Sequence, residues 1–535
     1  MWKNGLILLL AVSLIASLTL RQPSQIEPSP IEPTHSAPAW EIADSVVDRP
    51  KPEPPQPSPL VLTDPSAPPA PPPAPAAPEP EEKTAPADTA DDPLTAIIAA
   101  ASAEEPGLAG AAIGFCVFDA DGTIRHQYQA HTAQIPASSL KTLTTATALE
   151  TLGADFRFET HLSATAAPGT DGRLAGDLIL RGGGDPSLSI DQLRNAAAQL
   201  AASGLTTING RIIGDGDLGD GSLFPDFWNW GDIGNGYGSP VSGLNLEHNR
   251  FSAAFSPGPA VGEPATLIGT APALPPVLTL HNHVVTGPAG SGDGVTIYGG
   301  ERTPHLHLRG TVPLDAGQLA VTGAVTDPEL FAAHHLHAEL IAAGIAVTGA
   351  AHGATALRLA GESIPAAPHA LGKIPSPALI ELVTSIHATS DNLETECLYR
   401  QIGRAAKIDP AEAIRRHWAD RGLVFAGLRL VDGSGLSRAG HITPHDLARL
   451  QQLTATGPAG EAYLGSLLAT EDGRLRWKAG AMSAIRAYTG QALTEDGTAH
   501  YFALIVNHFE DLAAVNRLRD ALLAALQTGA PENPP

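Results

Sequence analysis

Residues 136–141 read Pro-Ala-Ser-Ser-Leu-Lys, with Ser138 three residues before Lys141 at the head of an apolar, threonine-rich run. That run predicts a helix over 140–152. Spacing i, i+3 sets the hydroxyl and the amine on one helix face, close enough to interact. A serine hydroxyl is a weak nucleophile until a base takes its proton. A lysine serves as that base when burial and nearby positive charge lower its pKa. A helix N-terminus adds partial positive charge and free backbone N–H groups, which suit a developing oxyanion. On these six residues alone, a serine cap beside an exposed lysine stays an open reading. Of the seven lysines in the chain, only Lys141 has a serine three positions earlier.

Two further elements lie downstream. Ser390-Asp391-Asn392 precedes a helical run, 393–402. Its hydroxyl is placed to relay a proton and its amide to bond a substrate amide or the lysine, although the same triplet also reads as a helix cap. Lys478-Ala479-Gly480 precedes a strand-like segment. A lysine there suits a substrate carboxylate, and Gly480 leaves its approach open. The residues between, about 160–370, carry short β-like runs such as 177–185, 207–215, 277–285, 306–312 and 318–325. Helical patterns return from 376, followed by strands near 484–490 and 500–507 and a last helix over 511–526.

The order Ser-x-x-Lys, Ser-x-Asn, Lys-x-Gly resembles the three motifs of penicillin-recognising serine enzymes. The wider text narrows the resemblance: PASSLKTLTTATAL (136–149), GGGDPSL (182–188), WNWGDIGNGYGSPVSGLNLEHN (228–249), SDNLETECLYRQIG (390–403), DGSGLSRAGHITPHDL (432–447) and ALIVNH (503–508). Together they resemble the D-alanyl-D-alanine carboxypeptidase/endopeptidases, the class C low-molecular-mass penicillin-binding proteins, over nearly all of 94–530. The resemblance implies an α/β (α+β) penicillin-binding, serine β-lactamase-like domain: a five-stranded antiparallel sheet flanked by helices, interrupted by a large β-rich insertion of two subdomains. It implies cleavage of peptidoglycan stem peptides through an acyl-serine, covalent capture of β-lactams, and no cofactor or metal. Residue by residue, it implies Ser138 as nucleophile, Lys141 as base, Ser390 as proton relay, Asn392 as amide contact and Lys478 near the substrate carboxylate. The backbone N–H groups of Ser138 and Ala481 would form the oxyanion hole. Asp232, Trp230, Tyr237, Gly480 and Met482 would contact substrate, with Asp232 facing a free amine of the stem.

One position departs from the pattern. Ala479 stands where the family carries threonine or serine, and the missing hydroxyl is worth about 1.5–3 kcal/mol as a hydrogen bond to a charged carboxylate. Ser483 is the candidate to replace it. Two other functions remain open at this point. A serine β-lactamase would turn over a chromogenic cephalosporin quickly. A peptidoglycan-binding protein with weakened turnover would bind muropeptides without releasing D-Ala.

The remaining sequence sets the context. With 56 acidic and 32 basic side chains the net charge is -24, which argues against nucleic acid as a partner, since polyanions need Lys and Arg. Residues 1–21 read as an export signal or a membrane anchor. Residues 22–92 hold 21 prolines, 13 acidic and 3 basic side chains and read as an extended tether with a reach of roughly 200 Å. Either N-terminal reading places the enzyme in the periplasm, and the anchor reading holds it at the inner membrane. The domain expectation is therefore 93–160 and 371–530 for the two parts of the penicillin-binding domain, 161–370 for the insertion and 531–535 for a tail. The oligomeric state is not encoded legibly. Cys116 and Cys397 exclude a disulfide framework; a single bond between them is compatible with an oxidising compartment, while Cys397, four residues after Leu393, reads as a buried thiol. The histidines at 281, 283, 305 and 307 alternate at strand spacing and read as solvent-facing. Gly433-Ser434-Gly435 reads as a turn.

Overall fold

The computed structural model describes residues 92–219 and 221–528. The signal or anchor, the tether up to residue 91 and the tail lie outside the described residues. Asp92, by contrast, caps the first helix, Pro93–Glu104, by accepting from Thr95 N, and pairs with His126.

A six-stranded antiparallel sheet runs in the order Leu468–Ala469, Leu475–Met482, Ile485–Leu493, Ala499–Asn507, Ala112–Asp119, Ile124–Tyr128. The sixth strand, one more than the resemblance implies, is the two-residue edge Leu468–Ala469. The central strands Ala112–Asp119 and Ala499–Asn507 are buried along nearly their whole length, because both faces of the sheet are covered. Phe115, Val117, Leu504 and Val506 pack under the first helix and the last, Leu512–Thr528. Cys116, Phe118, Ala503 and Ile505 pack on the other face beneath the helices Lys141–Leu152, Leu379–Thr389 and Pro444–Ala455. Near-continuous apolar runs at 113–118 and 502–506 follow from this two-sided burial.

The chain leaves this domain on the strand Glu159–Ala164 and returns on His369–Pro375, its antiparallel neighbour. These two belong to a five-stranded sheet ordered Ala351–Gly353, Ile212–Asp215, Leu178–Arg181, Glu159–Ala164, His369–Pro375. The stretch is β-rich as expected, and helices are added to its sheets. Two helices, Ile190–Ala202 and Pro328–Ala342, share one core with its strands, contributing Leu193, Leu200, Phe331 and Leu336. Both carried start signals in the sequence: a Ser189–Gln192 capping box and an Asp327 cap followed by Pro328. Thr279–Gly287, His305–Pro313 and Thr296–Tyr298 form one three-stranded sheet, and Leu319–Ala324, Arg250–Ser256 and Thr266–Ala271 another.

A disulfide is not formed. Cys116 and Cys397 are both buried, in separate clusters, the second beside Val241 and Leu393. Burial pushes the Cys397 thiol well above its ordinary pKa. His283 and His305 are exposed as expected, whereas His281 and His307 are half-buried and their rings stack at 4.7 Å. Among the described residues no group of three or more ligand-type side chains is arranged to hold a metal.

Candidate active site

The helix that begins at Lys141 is buried from Lys141 through Leu149 despite its threonines. β-branched residues are weak helix formers, but here most of their hydroxyls return to carbonyls of the same turn-and-helix segment. Thr142 Oγ1 donates to Ser139 O at 2.7 Å, Thr145 Oγ1 to Lys141 O at 2.8 Å and Thr147 Oγ1 to Leu143 O at 2.7 Å. The threonine hydroxyls of the run are thereby hydrogen-bonded without water, Thr144 Oγ1 to the Gly433 carbonyl.

Ser138 itself lies ahead of the α-helix, outside the expected bounds of 140–152. It lies in the 3-10 turn Ala137–Leu140 that leads into it. Side chains at i and i+3 eclipse in a 3-10 turn, so this geometry stacks Ser138 directly against Lys141, and Lys141 Nζ is 3.1 Å from Ser138 Oγ. The preceding residue, Ala137, holds φ +48°, a left-handed conformation that costs on the order of 1–3 kcal/mol for a residue with a Cβ. Two glycines make room for this turn. A Cβ on Gly435 would stand 2.1 Å from Ala137 O, and one on Gly480 would stand 2.6 Å from Pro136 O and 2.8 Å from Ser138 N.

Lys141 is fully buried. Besides Ser138, its Nζ donates to Asn392 Oδ1 at 2.6 Å and to the Ser434 carbonyl at 2.7 Å. Burial lowers its pKa to about 8, with Asp432, Glu396 and Asp391 pulling the other way. The second motif sits at a junction of two helices. Ser390 ends Leu379–Thr389 at φ +61°, and Asp391 caps Asn392–Ala406 through Glu394 N. Asp391 also pairs with Arg250 at 2.7 Å, which ties this junction to the insertion. Lys478 Nζ donates to Ser390 Oγ at 2.9 Å and to the Ala479 carbonyl at 2.9 Å. Lys478 is 3% exposed, and burial followed by the charge of Lys141 lowers it to about 7. The three motifs therefore meet as two interleaved serine–lysine pairs, Ser138–Lys141 and Ser390–Lys478.

Along the strand Leu475–Met482, alternate residues face opposite sides. Lys478, Gly480 and Met482 share one side, with Gly480 against the Ser138 turn. Ala479 faces the other and stands opposite Tyr488, packed against the core under the last helix. Ala481 is exposed and paired with Arg486, and Ser483 is exposed with its carbonyl accepting from Arg438. The far edge of this strand has no strand partner beyond Trp477 among the described residues.

The 228–237 block divides in two. Trp228 is buried, and its Nε1 donates to Asp432 Oδ2 at 3.0 Å, which joins the insertion to the domain beneath. Trp230 and Tyr237 are 62% and 50% exposed. Tyr237 Oη donates to Asp232 Oδ1 at 3.1 Å, and the Tyr237 carbonyl accepts from Asn392 Nδ2 at 2.8 Å. One hydrogen bond thus separates this exposed aromatic–acid group from the second motif. Burial, then Asp232, pushes the Tyr237 phenol up to about 12.

Four groups at the site escaped sequence reasoning. Ser434 lies in a turn, as expected, but its carbonyl is a partner of Lys141. Asp432 anchors that turn by accepting from Gly435 N and Ser437 N. Glu396 follows Asn392 by four residues, a same-face spacing that was available as a signal. His387 bridges Thr145 Oγ1 and Ser466 Oγ at 2.9 Å each. Burial, reinforced by the two lysines, holds His387 down to about 3, so it stays neutral.

A buried serine–lysine pair, a second serine–lysine pair across from it, and an antiparallel sheet flanked by helices define a serine peptidase of the penicillin-recognising class. The chain belongs to the D-Ala-D-Ala carboxypeptidase 3 (S13) family, whose sequence pattern matches residues 94–528. It is 31% identical over 461 residues to the D-alanyl-D-alanine carboxypeptidase of Actinomadura sp. (strain R39), covering 79% of this chain and 82% of that protein. It is 25% identical over 340 residues to the D-alanyl-D-alanine carboxypeptidase DacB of Haemophilus influenzae, 61% of this chain and 67% of that one. The fold matches the crystal structure of penicillin binding protein 4 from Haemophilus influenzae with a TM-score of 0.69 at 21% identity, over 80% of this chain and 99% of that one.

Proposed function

We propose that the chain hydrolyses the D-alanyl bonds of peptidoglycan stem peptides through an acyl-enzyme on Ser138. The observation that carries this reading is the pair of contacts Lys141 Nζ–Ser138 Oγ and Lys478 Nζ–Ser390 Oγ. Neutral Lys141 takes the Ser138 proton as Oγ bonds to the scissile carbonyl carbon. The oxygen anion is held by the Ser138 and Ala481 N–H groups. The C–N bond breaks, and the departing amine receives a proton relayed through Ser390. Water then cleaves the ester, releases the acid and restores Ser138. Asn392 orients the substrate amide, and charged Lys478 attracts the terminal carboxylate. A β-lactam enters the same path and acylates Ser138. The N-terminal 92 residues support a periplasmic location on an extended tether.

The test is digestion of purified muropeptides. Terminal D-Ala release from pentapeptides and conversion of cross-linked dimers to monomers support the reading. Binding without either product contradicts it, and rapid turnover of a chromogenic cephalosporin in its place points to a β-lactamase.

The two lysines titrate as a pair. With both protonated there is no base; with both neutral there is no cation for the carboxylate. Only the singly protonated pair works, and a bound carboxylate favours the arrangement with the proton on Lys478. The kcat/KM profile is expected to be bell-shaped, rising through about 7 and falling above about 8. A profile that rises without a second limb up to pH 10 contradicts the division of roles.

Asp232 supports a further specificity. Its half-buried carboxylate accepts from Tyr237 Oη and Asn229 Nδ2, and a carboxylate is the natural partner of an ammonium group. Asp232→Asn is expected to lower kcat/KM about ten-fold or more for stems with a free side-chain amine, with penicillin acylation nearly unchanged. Equal loss on both substrates would assign Asp232 a folding role.

A further inference from the structure

Lys141 must offer its lone pair to Ser138, and nothing in a lysine side chain alone fixes where that lone pair points. A neutral amine has two N–H bonds and one lone pair. Lys141 Nζ has three neighbours: Asn392 Oδ1, the Ser434 carbonyl and Ser138 Oγ. The first two accept and never donate through those atoms. When they take both N–H bonds, the lone pair is left facing Ser138. Asn392 belongs to a recognised motif, whereas the Ser434 carbonyl belongs to a turn, and a turn needs something to hold it.

Two side chains from different helices hold it. Glu396, one helical turn after Asn392, accepts from Gly433 N at 2.9 Å and from Ser434 N at 2.8 Å. Thr144, one turn after Lys141, donates to the Gly433 carbonyl at 2.7 Å. Both are buried, Glu396 to 1% and Thr144 to 0% exposure. We infer that Glu396 and Thr144 are positioning residues that clamp the Gly433–Ser434 segment, so that the Ser434 carbonyl aims the Lys141 lone pair at Ser138. Each helix thereby contributes twice to the base: Lys141 and Thr144 from one, Asn392 and Glu396 from the other.

The clamp also bears on charge. Asp432, Glu396 and Asp391 all raise Lys141, while Lys478 lies close enough for the two lysines to interact. Glu396 is itself pushed up to about 7 by burial and Asp432, with Arg400 opposing, so it is ionised on the alkaline side of neutrality.

This inference rests on Lys141 being the base, and three variants test it through kcat, KM and the pH profile of D-Ala release. Thr144→Val removes a tie without changing charge. It is expected to lower kcat about ten-fold, leave KM within about two-fold and leave the pH limbs in place. Glu396→Gln keeps the shape but loses the charge and sets an amide donor toward a backbone N–H. It is expected to lower kcat at least as much and to move the alkaline limb to lower pH, because a group that raises Lys141 is gone. Glu396→Asp keeps the charge with a shorter reach, so kcat falls and the limb stays. Unchanged kcat in Thr144→Val and Glu396→Gln overturns the inference, as does a kcat loss in Glu396→Gln with an unmoved limb. Should Glu396→Gln fail to fold, Thr144→Val decides alone. Wild-type enzyme that is not acylated at Ser138 refutes the proposed function instead; wild-type acylation with variants that match it refutes only the clamp.

Discussion

Ser138→Ala is expected to lower D-Ala release by at least about 10⁴-fold, in the range that loss of a serine nucleophile costs other serine hydrolases. The variant removes one oxygen from a half-buried position in the turn. That oxygen is a single partner of Lys141 Nζ, which keeps Asn392 Oδ1 and the Ser434 carbonyl. Stability is therefore expected to change by less than about 1 kcal/mol. Muropeptide binding should survive, because Lys478, Asn392 and the Asp232 region are untouched. A variant that still releases D-Ala within about ten-fold of wild type would mean that the covalent path runs elsewhere.

Lys141→Met is expected to lower acylation by about 10³–10⁴-fold, the usual span for loss of a positioned general base. Methionine keeps much of the volume of a fully buried side chain but leaves Asn392 Oδ1 and the Ser434 carbonyl without their donor. Each such loss costs about 1–3 kcal/mol, so a lower Tm should accompany the rate loss. The two effects separate by assay: residual acylation in Lys141→Met should rise with added hydroxide, since the Ser138 hydroxyl then depends on solvent to lose its proton. A variant within about ten-fold of wild type would remove Lys141 from the base role.

The parts of this structure legible in the sequence were those whose signal is local. The strand at Ala112–Asp119 and the last helix follow from apolar patterning, and the three motifs follow from side-chain chemistry at fixed spacing. What escaped was carried by the backbone or by distant pairing. The 3-10 turn that carries Ser138 was not legible, because i, i+3 spacing suits both an α-helix and a 3-10 turn; Gly480 and Gly435 pack on that turn. The role of Ser434 was invisible because a carbonyl oxygen is common to every residue. His387 and Asp432 gave no signal of their own, since each matters only through partners at least 79 positions away or through a turn that folds around it. The helices of the insertion were missed for a different reason: their caps were readable, but alanine-rich segments such as 196–202 were outweighed by the surrounding β-branched runs.

The departure at Ala479 bears on substrate choice. Its side chain lies on the opposite side of the strand from Lys478 and Gly480 and packs beside Tyr488. On the proposed mechanism, recognition of the terminal carboxylate then falls more heavily on Lys478, and this is why the cationic state of the lysine pair is expected to dominate the pH profile.

The most direct test of the account is the mass of the intact protein after exposure to benzylpenicillin, followed by peptide mapping. One penicilloyl adduct per chain is expected, located on Ser138, formed by the folded wild type and absent from both Ser138→Ala and heat-denatured protein. An adduct on Ser390 or Ser434, an adduct that persists in Ser138→Ala, or no adduct at all would contradict it.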